Sequence, residues 1–343
     1  MELTEIFINR AGRLRSGWRF AIYMVSLLLT IRVLFDLAGV LLSRWGLSEE
    51  YLRESYVAWA LQAFILLSAA TLLGWGYGKA FEDLPRRALG WAFHRWWLGD
   101  WLKGSLVGAA SLLLAALVAT ACGGFRFSFN AASAFPAIGK TLFLSALIFI
   151  LAAAAEEAMF RGYPLQTMTR AGLAWLAIVV TSVIFSLGHL DNPNVVRGFT
   201  FINTALAGLW LALAYLRTRS LWFPLGIHWA WNWTMGAMLG LPVSGIDRLT
   251  PHPLARAEAV GPAWLTGGSY GIEGGAACTL ALLVSILFIW RAKFLSATEE
   301  MKRLTDHEIP RWEQPPAAPH TQLMDDRAAM ANPSIVNPSD NQR

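Results

Sequence analysis

Residues 152–161 read AAAAEEAMFR, and the reading of this stretch decides the fold. It closes a long apolar run, 138–155, whose one charged residue is Lys140. Two adjacent carboxylates and a guanidinium therefore arrive at the end of a helix already inside lipid. Ionisable side chains at that depth are expensive, roughly 2.5–3.5 kcal/mol for an Asp or Lys at a helix centre, and they mark function by default. Glu157 and Arg161 stand four apart with the acid first, the favoured order for an ion pair along a helix. Glu156 lies about 100° round the helix from Glu157, without a local cation. A carboxylate with no structural partner is the one free for chemistry.

The surrounding composition belongs to a polytopic membrane protein. Of 343 residues, 55% are hydrophobic and only 15% charged, with a mean hydropathy of +0.44, which excludes an ordinary soluble enzyme. The 17 tryptophans suit a chain with two crowded membrane–water interfaces. A net charge of +5, carried largely in loops, points to anionic lipid headgroups, and no nucleic-acid motif is present. Cys122 and Cys278 both lie in apolar runs, so neither a disulfide framework nor a thiolate metal site is indicated.

Lipid-length apolar segments recur along the chain at 18–42, 56–77, 104–122, from 138 onward, 172–190, 200–216, 221–239 and 275–290. The expected fold is all-α, about eight transmembrane helices around a polar intramembrane cavity. The first segment is too long for a signal-peptide core. The basic residues before it suit a short helix on the membrane surface, and 79–103, with four Trp among Arg and Lys, reads as interfacial. Three regions follow: 1–103 with the first spans, a core at 104–291, and a charged, Pro-containing tail at 292–343 that reads as separable and disordered.

With the amino terminus inside, fifteen Lys and Arg fall on inner segments and seven on outer ones. Both termini are thus expected in the cytoplasm of a bacterial membrane, with the Pro- and Gly-rich stretch 241–274 outside. Further geometry comes from chain length. For Glu156 to share a water with His189, the helix must continue past Arg161 through Met168, kinked near Pro164, and turn at 170–172. On this reading the site opens toward the cytoplasm.

The other polar groups inside spans are spaced in pairs. Phe185 precedes His189 by four residues, so its ring can pack beside the imidazole. His228 and Asn232 share a helix face, also four apart. A lone histidine in an apolar helix is more often packed and hydrogen-bonded than catalytic. Two histidines, an asparagine and a surplus glutamate supply the parts for hydrolysing an amide: a carboxylate and histidine to deprotonate water, and an imidazole and amide to donate to the oxyanion. No Ser, Cys or Thr stands out as a nucleophile. Glu156, His189 and His228 are also of the types that could hold zinc, although no H-E-x-x-H is present.

Glu156-Glu157-x-x-x-Arg161, Phe185-x-x-x-His189 and His228-x-x-x-Asn232 resemble, in order, the three motifs of the CAAX protease and bacteriocin-processing (CPBP) intramembrane proteases, which include the Ras and a-factor converting enzyme. The resemblance covers roughly 104–290, including a glycine-rich stretch at 267–274 before the last helix. It implies that Glu156 activates water alongside His189, that His228 and Asn232 donate to the oxyanion, and that Glu157 and Arg161 hold the site together. It further implies a membrane-embedded or lipidated peptide or protein substrate, with either no cofactor or zinc. Two other classes fit the same polar groups: a small proton- or ion-coupled transporter, and a catalytically silent scaffold or immunity-type protein of this fold.

Overall fold

The computed structural model describes residues 6–9, 12–47, 55–129 and 135–306. Arg10, Arg53 and the Pro-containing stretch 307–343 lie outside the described residues. Apolar segments in lipid must satisfy their backbone groups internally, so each becomes a helix. They are α1 (Ser16–Arg44), α2 (Tyr56–Glu82), α3 (Trp97–Ala121), α4 (Phe135–Phe160) and α5 (Tyr163–Arg170), followed by α6 (Ala174–Leu187), α7 (Phe199–Thr218), α8 (Trp222–Trp233) and α9 (Ala276–Arg291). Two short strands, β1 (Phe125–Phe129) and β2 (Ala255–Ala259), pair antiparallel at one end.

The protein is polytopic and helical, but its spans are uneven. Five segments among the described residues are long and apolar enough to cross a bilayer, counting Phe135–Arg170 as one, whereas α6 and α9 are shorter. The seventh segment is split into α8 and a π-helical turn, Thr234–Met238. Such turns often sit at functional sites. These short helices end around the cavity described below.

The long fourth segment breaks as Pro164 requires. Arg161 and Gly162 both donate to the Glu157 carbonyl, at 2.8 and 2.9 Å. Pro164 then falls in the first turn of α5, where its missing N–H costs nothing. The chain still advances to Arg170 and reverses at Gly172, whose φ of +80° is the left-handed turn conformation.

Two sequence expectations need correction and a third is met in part. Before α1, Ile6 and Phe7 are helical and Ile8 is bridged to Leu14; residues 1–5, 10 and 11 of the expected surface helix lie outside the described residues. The segment expected to be interfacial folds back into the body: Ala88, Leu89 and His94 are buried, and α3 begins at Trp97, so the boundary at 103/104 cuts a helix. Nor is the tail separable from residue 292. Leu295 and Met301 are buried, α10 (Glu299–Thr305) is capped by Thr298, Arg87 pairs with Glu300, and Arg219 donates to the Thr305 carbonyl at 3.2 Å.

Two contacts fix the frame. At the end that holds the start of α1 and α10, Glu82 of α2 forms an ion pair with Arg19 of α1 at 3.2 Å and accepts a hydrogen bond from Arg170 of α5 at 2.7 Å, all three buried. Sequence reading missed this triad because each member sits at a helix end, where charges normally reach for headgroups. In the middle of the bundle, α3 and α8 touch backbone to backbone. A Cβ on Gly104 would stand 2.1 Å from the Phe223 carbonyl oxygen, and one on Gly108 2.1 Å from that of Ile227. Small residues four apart permit this approach.

Candidate active site

Glu157 is the hub. Its carboxylate is fully buried, and Oε1 accepts from Arg161 Nη1 at 3.2 Å and from His228 Nδ1 at 2.9 Å. The first contact is the local ion pair read from the i,i+4 spacing; the second joins residues 71 apart in sequence. Arg161 also donates to the Gly208 carbonyl of α7 at 3.2 Å, and its guanidinium lies 4.6 Å from the Phe185 ring of α6. One buried cation thereby ties α4, α6 and α7 together, with the imidazole of α8 bound through Glu157.

Glu156 faces the other way. Its Oε2 is buried and accepts no hydrogen bond, and the nearest cation-forming group is His228 Nε2 at 3.7 Å. A partner for Glu156, absent from its own helix, therefore comes from α8. His189, at the end of α6, packs against Phe185 with ring centroids 4.6 Å apart, and its Nδ1 donates to the Phe185 carbonyl at 2.8 Å. Because a carbonyl only accepts, Nδ1 carries a proton, and in the uncharged form of the ring Nε2 is the acceptor. His228 thus sits between both glutamates, with Nδ1 on Glu157 and Nε2 toward Glu156.

Glu156, His189, His228 and Asn232 line one cavity of about 370 Å³, with apolar walls that include Trp59 and Leu282. Asn203 and Glu273, which sequence reading did not single out, line it too. Glu273 Oε1 accepts from Trp231 Nε1 at 3.0 Å, while Oε2 accepts from the Ser244 amide and hydroxyl at 2.8 and 2.9 Å. Asn203 donates to the Glu273 and Gly275 carbonyls at 2.7 and 2.9 Å and accepts from Thr279 at 2.6 Å. Together they pin the glycine-rich loop over the cavity. Beneath it, burial and then the Glu273 charge push the Tyr270 phenol above its ordinary range. The only sequence signal for Glu273 was an acid inside an otherwise uncharged glycine run.

The three zinc candidates do not form a metal shell. Among the described residues no group of three or more His, Cys, Asp or Glu side chains could hold one ion. Nδ1 of each histidine is already engaged, which leaves only their Nε2 atoms to face an ion. No chemical step is assigned to a metal here.

The lining also places the cavity along the bundle. It is lined by the first turns of α2, α7 and α9, by residues just past the end of α6, and by loop residues 243–249 and 273. All of these lie at the end of the bundle opposite the Arg19, Glu82 and Arg170 triad and α10.

Fold and site define an integral membrane protein whose broken and shortened helices enclose a cavity bearing carboxylates and imidazoles. Residues 138–234 match the family described as Type II CAAX prenyl endopeptidase Rce1-like. That segment carries all three motifs, and its similarity to this family agrees with the CPBP resemblance. No curated protein and no solved structure matches the chain.

Proposed function

We propose that this protein is an intramembrane endopeptidase that hydrolyses peptide bonds of a membrane-associated substrate with an activated water. The observation that carries the reading is the pair of acceptors, Glu156 Oε2 and His189 Nε2, presented to one cavity. A water there donates one proton to each and keeps a lone pair for the carbonyl carbon of the substrate. Glu156 takes the proton as the C–O bond forms, and returns it to the amine as the C–N bond breaks. The Asn232 amide and the Nε2 side of His228 are assigned to the developing oxyanion. Glu157, Arg161 and Phe185 do not touch substrate; they hold His228 and His189 at fixed height and rotation.

The test is hydrolysis of a peptide library by the purified protein, comparing wild type with Glu156→Gln. Cleavage lost in the variant supports the reading. A silent scaffold of this fold would bind partners without cleaving in either form, and a transporter would move protons or ions across proteoliposomes.

A further inference from the structure

Among the five described segments long and apolar enough to cross a bilayer, α1 is the least covered by its own chain. Only 6% of its most apolar window is buried, against 22–44% in the other four. Its buried side, Arg19, Tyr23 and Leu27, lies in the first half of the helix, and past Leu27 no residue of α1 is buried. The opposite side carries Val25, Leu29, Arg32, Asp36, Gly39 and Ser43, all exposed. These six recur at alternating steps of four and three, the spacing of a seam between two packed helices. A charged pair occupies the middle of that seam. Arg32 Nε donates to Asp36 Oδ2 at 2.8 Å, and the side chains are 78% and 59% exposed. Arg32 lies midway between Arg19 and Arg44, with roughly 18–20 Å of helix to either, beyond the reach of a snorkelling side chain. Sinking the helix until Asp36 met the headgroups would push the exposed Leu37, Val40 and Leu41 into water. Charges inside a span normally turn toward their own bundle; this pair turns away from it. Its contact uses one nitrogen and one oxygen, and among the described residues Arg32 Nη1 and Nη2 and Asp36 Oδ1 make no further bond.

We infer that α1 is a dimerisation helix, packed within the membrane against α1 of a second copy of this chain. A second copy is selected because the pair is complementary to itself. Two copies inserted in the same direction are related by a two-fold axis along the membrane normal, which sets their α1 helices parallel. Arg32 of each then stands about 6 Å along the axis from the partner's Asp36. A guanidinium on its long stem spans that offset while keeping the Asp36 of its own helix, so four charges close into an alternating ring. Such an isologous contact needs no other polypeptide. Further along the seam, Gly39 and Ser43 are small enough to let two backbones approach, and a Cβ on Gly39 would meet nothing within its own chain. No residue of α1 lines the cavity, so this association stands apart from the endopeptidase reading.

The test is self-association of the full chain in liposomes, read by energy transfer between copies labelled at Lys302→Cys. The background is Cys122→Ala, since Cys122 is exposed and Cys278 buried. Transfer should persist as lipid is added. Arg32→Asp sets acids against acids and should weaken the apparent affinity by at least about tenfold. Adding Asp36→Arg to it exchanges the charges within each copy and should restore association, an outcome open only to a contact with this chain on both sides. Oxidative crosslinking supplies a check that leaves the charges intact. In the same Cys122→Ala background, Leu29→Cys and Gly39→Cys on the seam should each yield disulfide-linked dimers, while Leu37→Cys, exposed but off the seam, should not. Thermal unfolding of the Arg32→Asp variant at the wild-type temperature shows the fold intact; if that variant fails to fold, the cysteine series decides. Transfer no greater than random mixing at every lipid ratio overturns the dimer, as expected if α1 is covered by lipid or by a different membrane protein. Association unmoved by Arg32→Asp, or crosslinking at Leu37→Cys alone, overturns the charged seam.

Discussion

Glu82 and Glu156 are both carboxylates inside the same bundle, and they are treated in opposite ways. Glu82 is gripped by two guanidiniums from two helices, all three side chains at or below 3% exposure. Glu156 is 27% exposed, faces a cavity, and has only a histidine nitrogen at 3.7 Å. Charge compensation at the first makes a joint that holds α1, α2 and α5 in place. Incomplete compensation at the second leaves a base whose proton affinity is available to a substrate. Glu157, one residue from Glu156, falls on the structural side of this division because Arg161 and His228 both bond its Oε1, although its Oε2 accepts no hydrogen bond.

The division can be broken experimentally, and the largest effect is expected at Glu156. Glu156→Gln should lower turnover by roughly 10²–10⁴-fold, the range for losing a general base, while the melting temperature in detergent stays at the wild-type value. Should turnover persist, the base lies elsewhere. Glu82→Ala inverts that profile: it strands two buried guanidiniums, and equilibrium unfolding should register a loss of about 3–5 kcal/mol. Glu157→Gln should resemble Glu82→Ala more than Glu156→Gln, with a lower melting temperature and yield. A smaller effect is expected at the helix contact, where Gly108→Ala forces α3 off the Ile227 carbonyl at about 1–3 kcal/mol, read by thermal unfolding. Asn203→Ala removes side-chain bonds of about 0.5–1.5 kcal/mol each and should show mainly as faster proteolytic nicking of 241–275. Exhaustive chelation should have the least effect, leaving peptide hydrolysis unchanged; reversible loss restored by stoichiometric zinc would place a metal in the cavity after all.

What could be read from sequence followed the range of the interaction. Apolar segments in lipid have one way to satisfy their backbone, so all eight helical segments were legible, as was the break before Pro164, whose ring cannot sit mid-helix. The Glu157–Arg161 pair and the Phe185–His189 contact were legible because both partners lie on one helix, a turn apart. The contact between His228 and Glu157 spans two helices far apart in sequence and has no local signature. Arg19, Glu82 and Arg170 individually look like charges bound for headgroups, and only their convergence reveals a joint. Asn203 and Glu273 were missed for a related reason: each acts by holding backbone carbonyls or amides of a distant loop.

The backbone contact between α3 and α8 limits how this protein can move. Side chains between two helices can change rotamer and let them slide, but Gly104 and Gly108 leave nothing between the helices to rearrange. His228, one residue past the contacted Ile227, is thereby registered against α3 like a tooth in a fixed rack. Any opening that admits a peptide must then come from parts hinged elsewhere. The loop fastened by Glu273 and Asn203 is the cover, and its opening would have to break those hydrogen bonds and the burial of Leu265 and Ile272. The machine has a rigid jaw and a movable one, and the base and its histidines are mounted so that only the cover needs to shift.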